Sequence, residues 1–189
     1  MNITLKSIID SYRSGLLSTP NIQVLGKKLS DETIEFPRKP IADRTFNSST
    51  FKNSDLIHIK FINVNFESSY FKKCFVENCI FENTILLDAG FDDCIFKNCR
   101  FINCDLSEVT ITDTIFNECT FLKSGFNNAS FELCHFLKPI FEGVKSVPLG
   151  SAVLINSKFS NSTKSIEFEG EVYFTEIFDQ IDKLYIDEE

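Results

Sequence analysis

The sequence predicts an all-β solenoid, and three observations carry the prediction. From Phe46 onward, twenty consecutive blocks of five residues begin with an apolar side chain, fifteen of them Phe, without one slip of register. The exceptions are Leu56, Val76, Leu86, Leu106 and Ile111. Two residues before most leaders stands a small side chain, and all seven cysteines (Cys74, Cys79, Cys94, Cys99, Cys104, Cys119 and Cys134) fall at this position. Two residues after the leader, half the blocks carry Asn or Asp, among them Asn53, Asn63, Asn78, Asn83, Asp88, Asp93, Asn98 and Asn103.

Extended backbone accounts for all three. Side chains on a strand alternate between faces, so a leader and the residue two before it point the same way. Five is odd, so an unbroken strand would turn the next leader outward, and the chain must bend once per block. Asn and Asp tolerate the left-handed conformation that such a corner requires. Each unit is therefore one large and one small inward residue followed by a corner, and successive units wrap and stack so that each coil buries its neighbour's apolar face. Phe91, Phe96 and Phe101, with Cys94, Cys99 and Cys104, are the expected core ladder.

The blocks CRFIN and CDLSE, with CIFKN and ASFEL at the inward positions, resemble the pentapeptide-repeat family. The resemblance covers residues 44–145 and implies a right-handed, four-sided parallel β-helix with four blocks per coil, hence about five coils. The chain departs from the family pattern in placing Asn or Asp where Gly often ends the repeat, and often Ile or Thr just before the leader. Four blocks per coil define four sides, led here by 46, 51, 56 and 61 and numbered first to fourth.

The remaining segments are read as additions to the rod. Residues 1–43 form an N-terminal cap, with Leu5, Ile8, Ile9, Tyr12 and Leu16 on one face of a helix over 4–17. Residues 146–172 are an irregular stretch in which Leu154 and Phe159, five apart and preceded by Ala152 and Ser157, suggest a partial coil. Residues 173–189 form an acidic C-terminal helix and tail, with Phe174, Ile177, Phe178 and Ile181 as its packing face. The resemblance implies that this helix pairs two rods into a homodimer; the sequence equally allows a lid.

The N-terminus has no uninterrupted apolar core of a signal peptide, and no run of about 18 apolar residues spans a membrane. A reducing, cytoplasmic location is expected, where cysteines rarely form structural disulfides. Net charge is −8, and residues 165–189 alone, with one basic and nine acidic residues, account for it. That balance disfavours direct nucleic-acid binding and suits a basic protein partner.

Candidate chemistry is sparse. Stacked cysteines project in parallel, whereas a disulfide needs converging Cβ vectors and zinc commonly takes paired Cys-x₂-Cys ligands, which are absent here. They read as core residues, with neither metal nor cofactor. His58 and His135 fall at surface positions four coils apart. The carboxylate pairs Asp92–Asp93 and Asp105–Glu108 read as solvated surface, and no phosphate loop or nucleophile elbow occurs. No enzyme is expected.

The outward positions hold one anomaly. Phe75, Ile95 and Ile115 form an apolar column on the third side, extended by Ile57 and Leu137, and Ile62, Ile80, Ile102, Leu122 and Ile140 crowd the fourth. Exposed stripes of this kind mark interfaces unless a terminal segment folds over them. With Glu167, Glu169 and Glu171 they are the partner-interface candidates. The expected function is a non-catalytic protein-binding module that antagonises or protects a partner, of the toxin-immunity type. The resemblance offers the alternative of a DNA-mimicking modulator of DNA gyrase or topoisomerase, and a structural scaffold is a further reading.

Overall fold

The computed structural model describes residues 4–7, 22–35, 46–144, 146 and 149–186. Within them the chain winds into a four-sided parallel β-helix. Strands β1 (Gln23–Leu25), β2 (Lys28–Ser30) and β3 (Thr33–Glu35) open it, and twelve three-residue strands follow, from β4 (Thr50–Lys52) to β15 (Thr120–Leu122). Each is centred on a leader of the second, third or fourth side. First-side leaders lie in turns joined across layers by the single bridges Asn65–Ile85, Ile85–Asp105 and Asp105–Gly125. Partners in neighbouring coils are twenty residues apart, as in Phe51–Phe71 and Phe71–Phe91. The leaders from Phe46 to Phe141 make five coils, as expected.

Every corner turns the way the Asn and Asp positions require. The residue two after each leader, from Ser48 to Lys138, has φ between 48° and 58°. All eight Asn and Asp corners named from the sequence are among them, and so are Lys73, Glu108 and Leu133. The backbone there is dictated by the coil, and residues less suited to it comply.

Inside, Phe rings stack in columns. On the fourth side Phe61, Phe81, Phe101, Phe121, Phe141 and Phe159 follow one another at centroid spacings of 4.7 to 5.1 Å. Phe96, Phe116 and Phe136 stack on the third. These spacings match the strand-to-strand distance of a sheet, so one ring fills one layer.

Both ends of the rod depart from the expected boundaries. Residues 22–35, assigned above to a cap, pair with the first full coil: Val24 on Phe51, Leu29 on Leu56 and Ile34 on Phe61. The solenoid therefore begins before residue 44. Its offset there is 27 residues (61 − 34) instead of twenty. Ahead of it, Leu5 is buried in a helical turn at 5–7, and the Leu5 and Lys6 amides donate to the Glu32 carboxylate at 2.9 and 3.0 Å. Ile8, Ile9, Tyr12 and Leu16 lie outside the described residues.

At the other end β16 (Ser130–Leu137) and β17 (Ile140–Glu142) are followed by β18 (Leu149–Ser160), which adds a layer with Leu154 on Phe136 and Phe159 on Phe141. The chain then reverses. β19 (Ser165–Tyr173) lies antiparallel on β18, so 146–172 contains a long hairpin in place of an irregular stretch. The C-terminal helix, Phe174–Ile186, packs against this hairpin and buries Phe174, Ile177, Ile181 and Leu184. Phe159 meets Phe174 at 6.0 Å. Phe178, expected on the packing face, is exposed because the buried row follows i, i+3, i+7 and i+10 and leaves it beyond the edge.

Candidate protein-binding surface

The small inward positions hold the residues most easily taken for chemistry. All seven cysteines are buried and free. Cys74 Sγ donates to the Phe51 carbonyl at 3.3 Å, Cys104 to Phe81 at 3.3 Å and Cys134 to Ile111 at 3.2 Å. Thr84 and Ser124, at the same position in other coils, make the equivalent bond to Phe61 and Phe101. The thiols thus act as packing groups with a weak donor. Burial pushes Cys104 up to about 12 and Cys134 up to about 11, so both stay protonated at neutral pH.

Outside, each side has its own character. On the third side the order Asp55, Phe75, Ile95, Ile115, His135, Val153 runs along the rod in register. Ile95 is 43% exposed, while Phe75 and Ile115 are half-buried by their neighbours in the column. Alongside, Lys97 Nζ and Glu77 Oε1 sit 2.8 Å apart, and that carboxylate raises the lysine above its ordinary value. The column is therefore an apolar strip with a neutralised flank.

The fourth side is more broken. Ile102 and Leu122 are register partners, but Glu82 separates Ile62 from them. All three are half-buried, and Ile140, toward the C-terminal end, is 38% exposed. The apolar residues named on this side do not join into one strip as Phe75, Ile95 and Ile115 do; nor do Ile57 and Leu137 extend that third-side strip, since they stand in the adjacent column with Glu77, Lys97 and Asn117 between them.

The second side carries a polar cluster that the sequence pattern did not reveal. Tyr70 Oη donates to Asp92 Oδ2 at 2.7 Å, and the Lys72 ammonium binds the same oxygen. The bonds from Lys72 and Tyr70 hold the Asp92 carboxyl below its ordinary range. The first side carries Glu67, Asp88, Asp105 and Glu108, with neither Lys nor Arg at 46–48, 65–68, 85–88, 105–108 or 125–128.

The histidines stay apart. His58 is an exposed corner residue between Asp31, 3.1 Å from its Nδ1, and Asn78, 3.1 Å from its Nε2, while His135 is exposed in the third-side column. At the C-terminal end Glu167, Glu169 and Glu171 alternate on the exposed face of β19, with Ile166, Phe168 and Val172 turned toward the core. That alternation is a strand signature, and it was legible in SIEFEGEVY. Among the described residues no group of three or more His, Cys, Asp or Glu gathers in a metal-binding arrangement, and no helix is long and apolar enough to cross a membrane.

A family model described as pentapeptide repeats matches eight copies, over residues 49–88, 84–121 and 94–136. Residues 49–136 belong to the pentapeptide-repeat family. The matched repeats are the coils whose inward pairs and corners are described above. No curated protein matches the sequence. Among solved structures it is similar to full-length QnrB1, a plasmid-mediated fluoroquinolone resistance protein, at 12% identity over 66% of this chain and 84% of that one, with a TM-score of 0.27. It is also similar to the pentapeptide-repeat protein Rfr23 from the cyanobacterium Cyanothece (13%, 68% and 79%, TM-score 0.24). A third is a crystal structure described as a glycosyl hydrolase of Parabacteroides merdae (12%, 69% and 87%, TM-score 0.38). Likeness at this level transfers no activity.

Proposed function

We propose that this pentapeptide-repeat chain is a non-catalytic protein-binding module that antagonises or protects a partner protein through the outside of its rod. The observation that carries this reading is the third-side column. Ile95 is 43% exposed between two further apolar residues, and a row of this kind on a flat side is the surface a protein partner would bury. Burying about 200 Å² of apolar surface there contributes roughly 5 kcal/mol before the costs of association. The interior is filled with rings and the four sides are flat, which suits recognition by shape.

A toxin neutralised by the rod is the partner class we favour, its basic surface meeting the acidic C-terminal end. The test is to capture partners from the native host with the wild-type chain and with Ile95→Lys in parallel. A protein retained by the first and lost with the second supports the reading. Equal retention by both sinks it.

The cation-free first side favours one alternative, imitation of a nucleic-acid backbone at DNA gyrase or a topoisomerase. The magnitude is weak. Duplex DNA carries about one charge per 1.7 Å of axis, roughly eight over the three layer steps, about 14 Å, from Glu67 to Asn127. The first side has four carboxylates there. A supercoiling assay decides it: unchanged supercoiling at micromolar protein removes the alternative and leaves protein antagonism standing.

A further inference from the structure

β19 is the last strand of the sheet. Among the described residues it pairs only with β18, so its other edge presents unpaired N–H and C=O groups. Natural edges of this length are blunted by charged side chains, Pro or a bulge, and Ser165–Tyr173 has neither Lys nor Pro, so that its guard against like edges is the row of glutamates and one irregularity. Its one interruption is Gly170, with φ of 78° opposite Asn156, whose side-chain oxygen accepts the Gly170 N–H at 2.9 Å.

The charge on this edge selects what it can accept. Glu167, Glu169 and Glu171 stand on one face, and Lys158 pairs with Glu167 at 2.8 Å. No cation lies within ion-pair distance of Glu169 or Glu171 among the described residues. A second copy adding its own β19 would set glutamates against glutamates, which destabilises a cross-strand pairing, whereas Lys or Arg opposite them stabilises it. Beside the strand lies a recess of about 360 Å³ lined by Lys138, Pro139, Ile140, Lys158, Phe168 and Glu169, among others. Ser157 is 2% exposed, and its hydroxyl is the one buried side-chain N or O among the described residues without a hydrogen-bond partner. The equivalent Ser124 donates to a carbonyl.

We infer that β19 is a docking edge to which an extended, basic segment of another protein adds as a further strand, with Lys or Arg at alternate positions facing Glu169 and Glu171. Tyr173 of β19 follows Val153 in the third-side column, four layers beyond Ile95, so substitutions at Ile95 and at Glu169 and Glu171 test the two readings separately.

The probe is a fluorescein-labelled peptide Lys-Thr-Lys-Val-Lys-Thr-Lys-Val, followed by anisotropy, with hydrogen exchange of residues 165–173 as the structural readout. The expected result is saturable binding with slowed exchange in β19. Binding should weaken about tenfold for Glu169→Lys/Glu171→Lys, and similarly for the same peptide N-methylated at alternate residues, which keeps its charge but cannot pair. Both glutamates are exposed, so the variant should melt with the wild type, and Ile95→Lys should bind the peptide normally. Absence of binding, equal binding of the N-methylated peptide, equal binding of a Glu-for-Lys peptide, or self-association through β19 in its place would each overturn the inference.

Discussion

The Tyr70 ring lies across Gly90, its register partner one coil along the second side, so that a Cβ added to Gly90 would come within 2.7 Å of Tyr70 Cδ2. Gly90 has no side chain because the ring occupies the place of one, and the same ring reaches on to Asp92. The effect of Gly90→Ala should therefore reverse with its neighbour. In the wild type it displaces the ring from Asp92 and destabilises by about 1 kcal/mol. In a Tyr70→Ala background it relieves a strand glycine and stabilises by roughly 0.5–1 kcal/mol. Urea unfolding of the four proteins in this cycle measures the coupling, and additive effects would contradict the contact.

Phe101 tests the core. Its ring is 1% exposed and stacks 4.8 Å from Phe81 and 4.9 Å from Phe121. Phe101→Ala should cost about 3–5 kcal/mol, because rings held by layers above and below cannot close the void. Asp105→Asn keeps the bond from the Ser107 amide to its side-chain oxygen, 3.0 Å in the wild type, and should stay within about 0.5 kcal/mol. Chemical denaturation of both compares inward with outward.

Leu133 occupies a corner with φ of 53° while 59% exposed, so it bears left-handed strain with little packing in return. Leu133→Asn should raise the unfolding midpoint, by the equivalent of about 0.5–1 kcal/mol, since Asn is at home in that region. A melting experiment that showed a loss would mean that the leucine makes a contact worth more than its strain.

The thiols give a pH dependence with a definite sign. In the unfolded chain they ionise near pH 8.5, whereas burial holds Cys134 up to about 11 and Cys104 up to about 12. The fold binds these protons more tightly than the unfolded chain does. Their contribution is thus intact below about pH 8.5 and is lost as pH rises toward 11 and 12. Stability should fall across that interval, and less steeply in Cys104→Ser/Cys134→Ser, since Ser fills the same slot at Ser124. In the native protein at pH 8 a thiol reagent such as Ellman's should find none of the seven cysteines; rapid labelling would contradict their burial.

The middle of the rod was readable because Phe fills one slot so often that the period shows without alignment. The same slot was missed at 22–35. Val24, Leu29 and Ile34 keep the spacing of five, but Ile22, Lys27 and Glu32 stand where a small residue is expected, and the offset of 27 breaks the count. Leu154 and Phe159 were legible for the opposite reason, since Ala152 and Ser157 precede them. The hairpin is masked in the sequence because the glutamates of β19 add to the acidic C-terminal charge, although they alternate with Ile166, Phe168 and Val172. Of the candidate surface, the third-side column could be read from spacing alone. The Tyr70–Asp92–Lys72 cluster and the recess beside Ser157 could not, since they depend on which layers meet and on the chain reversing at 161–164.

The spacing of the fourth-side rings also governs how this molecule can change in length. From Phe61 to Phe141 every return to the column takes twenty residues, so a deletion or insertion of any other size would push each later ring out of its stack. Growth in the interior is quantised. Only at the two ends, where the return takes 27 residues before Phe61 and eighteen after Phe141 (159 − 141), has the rod absorbed an odd step, and there variation in lineage or by engineering can enter one residue at a time.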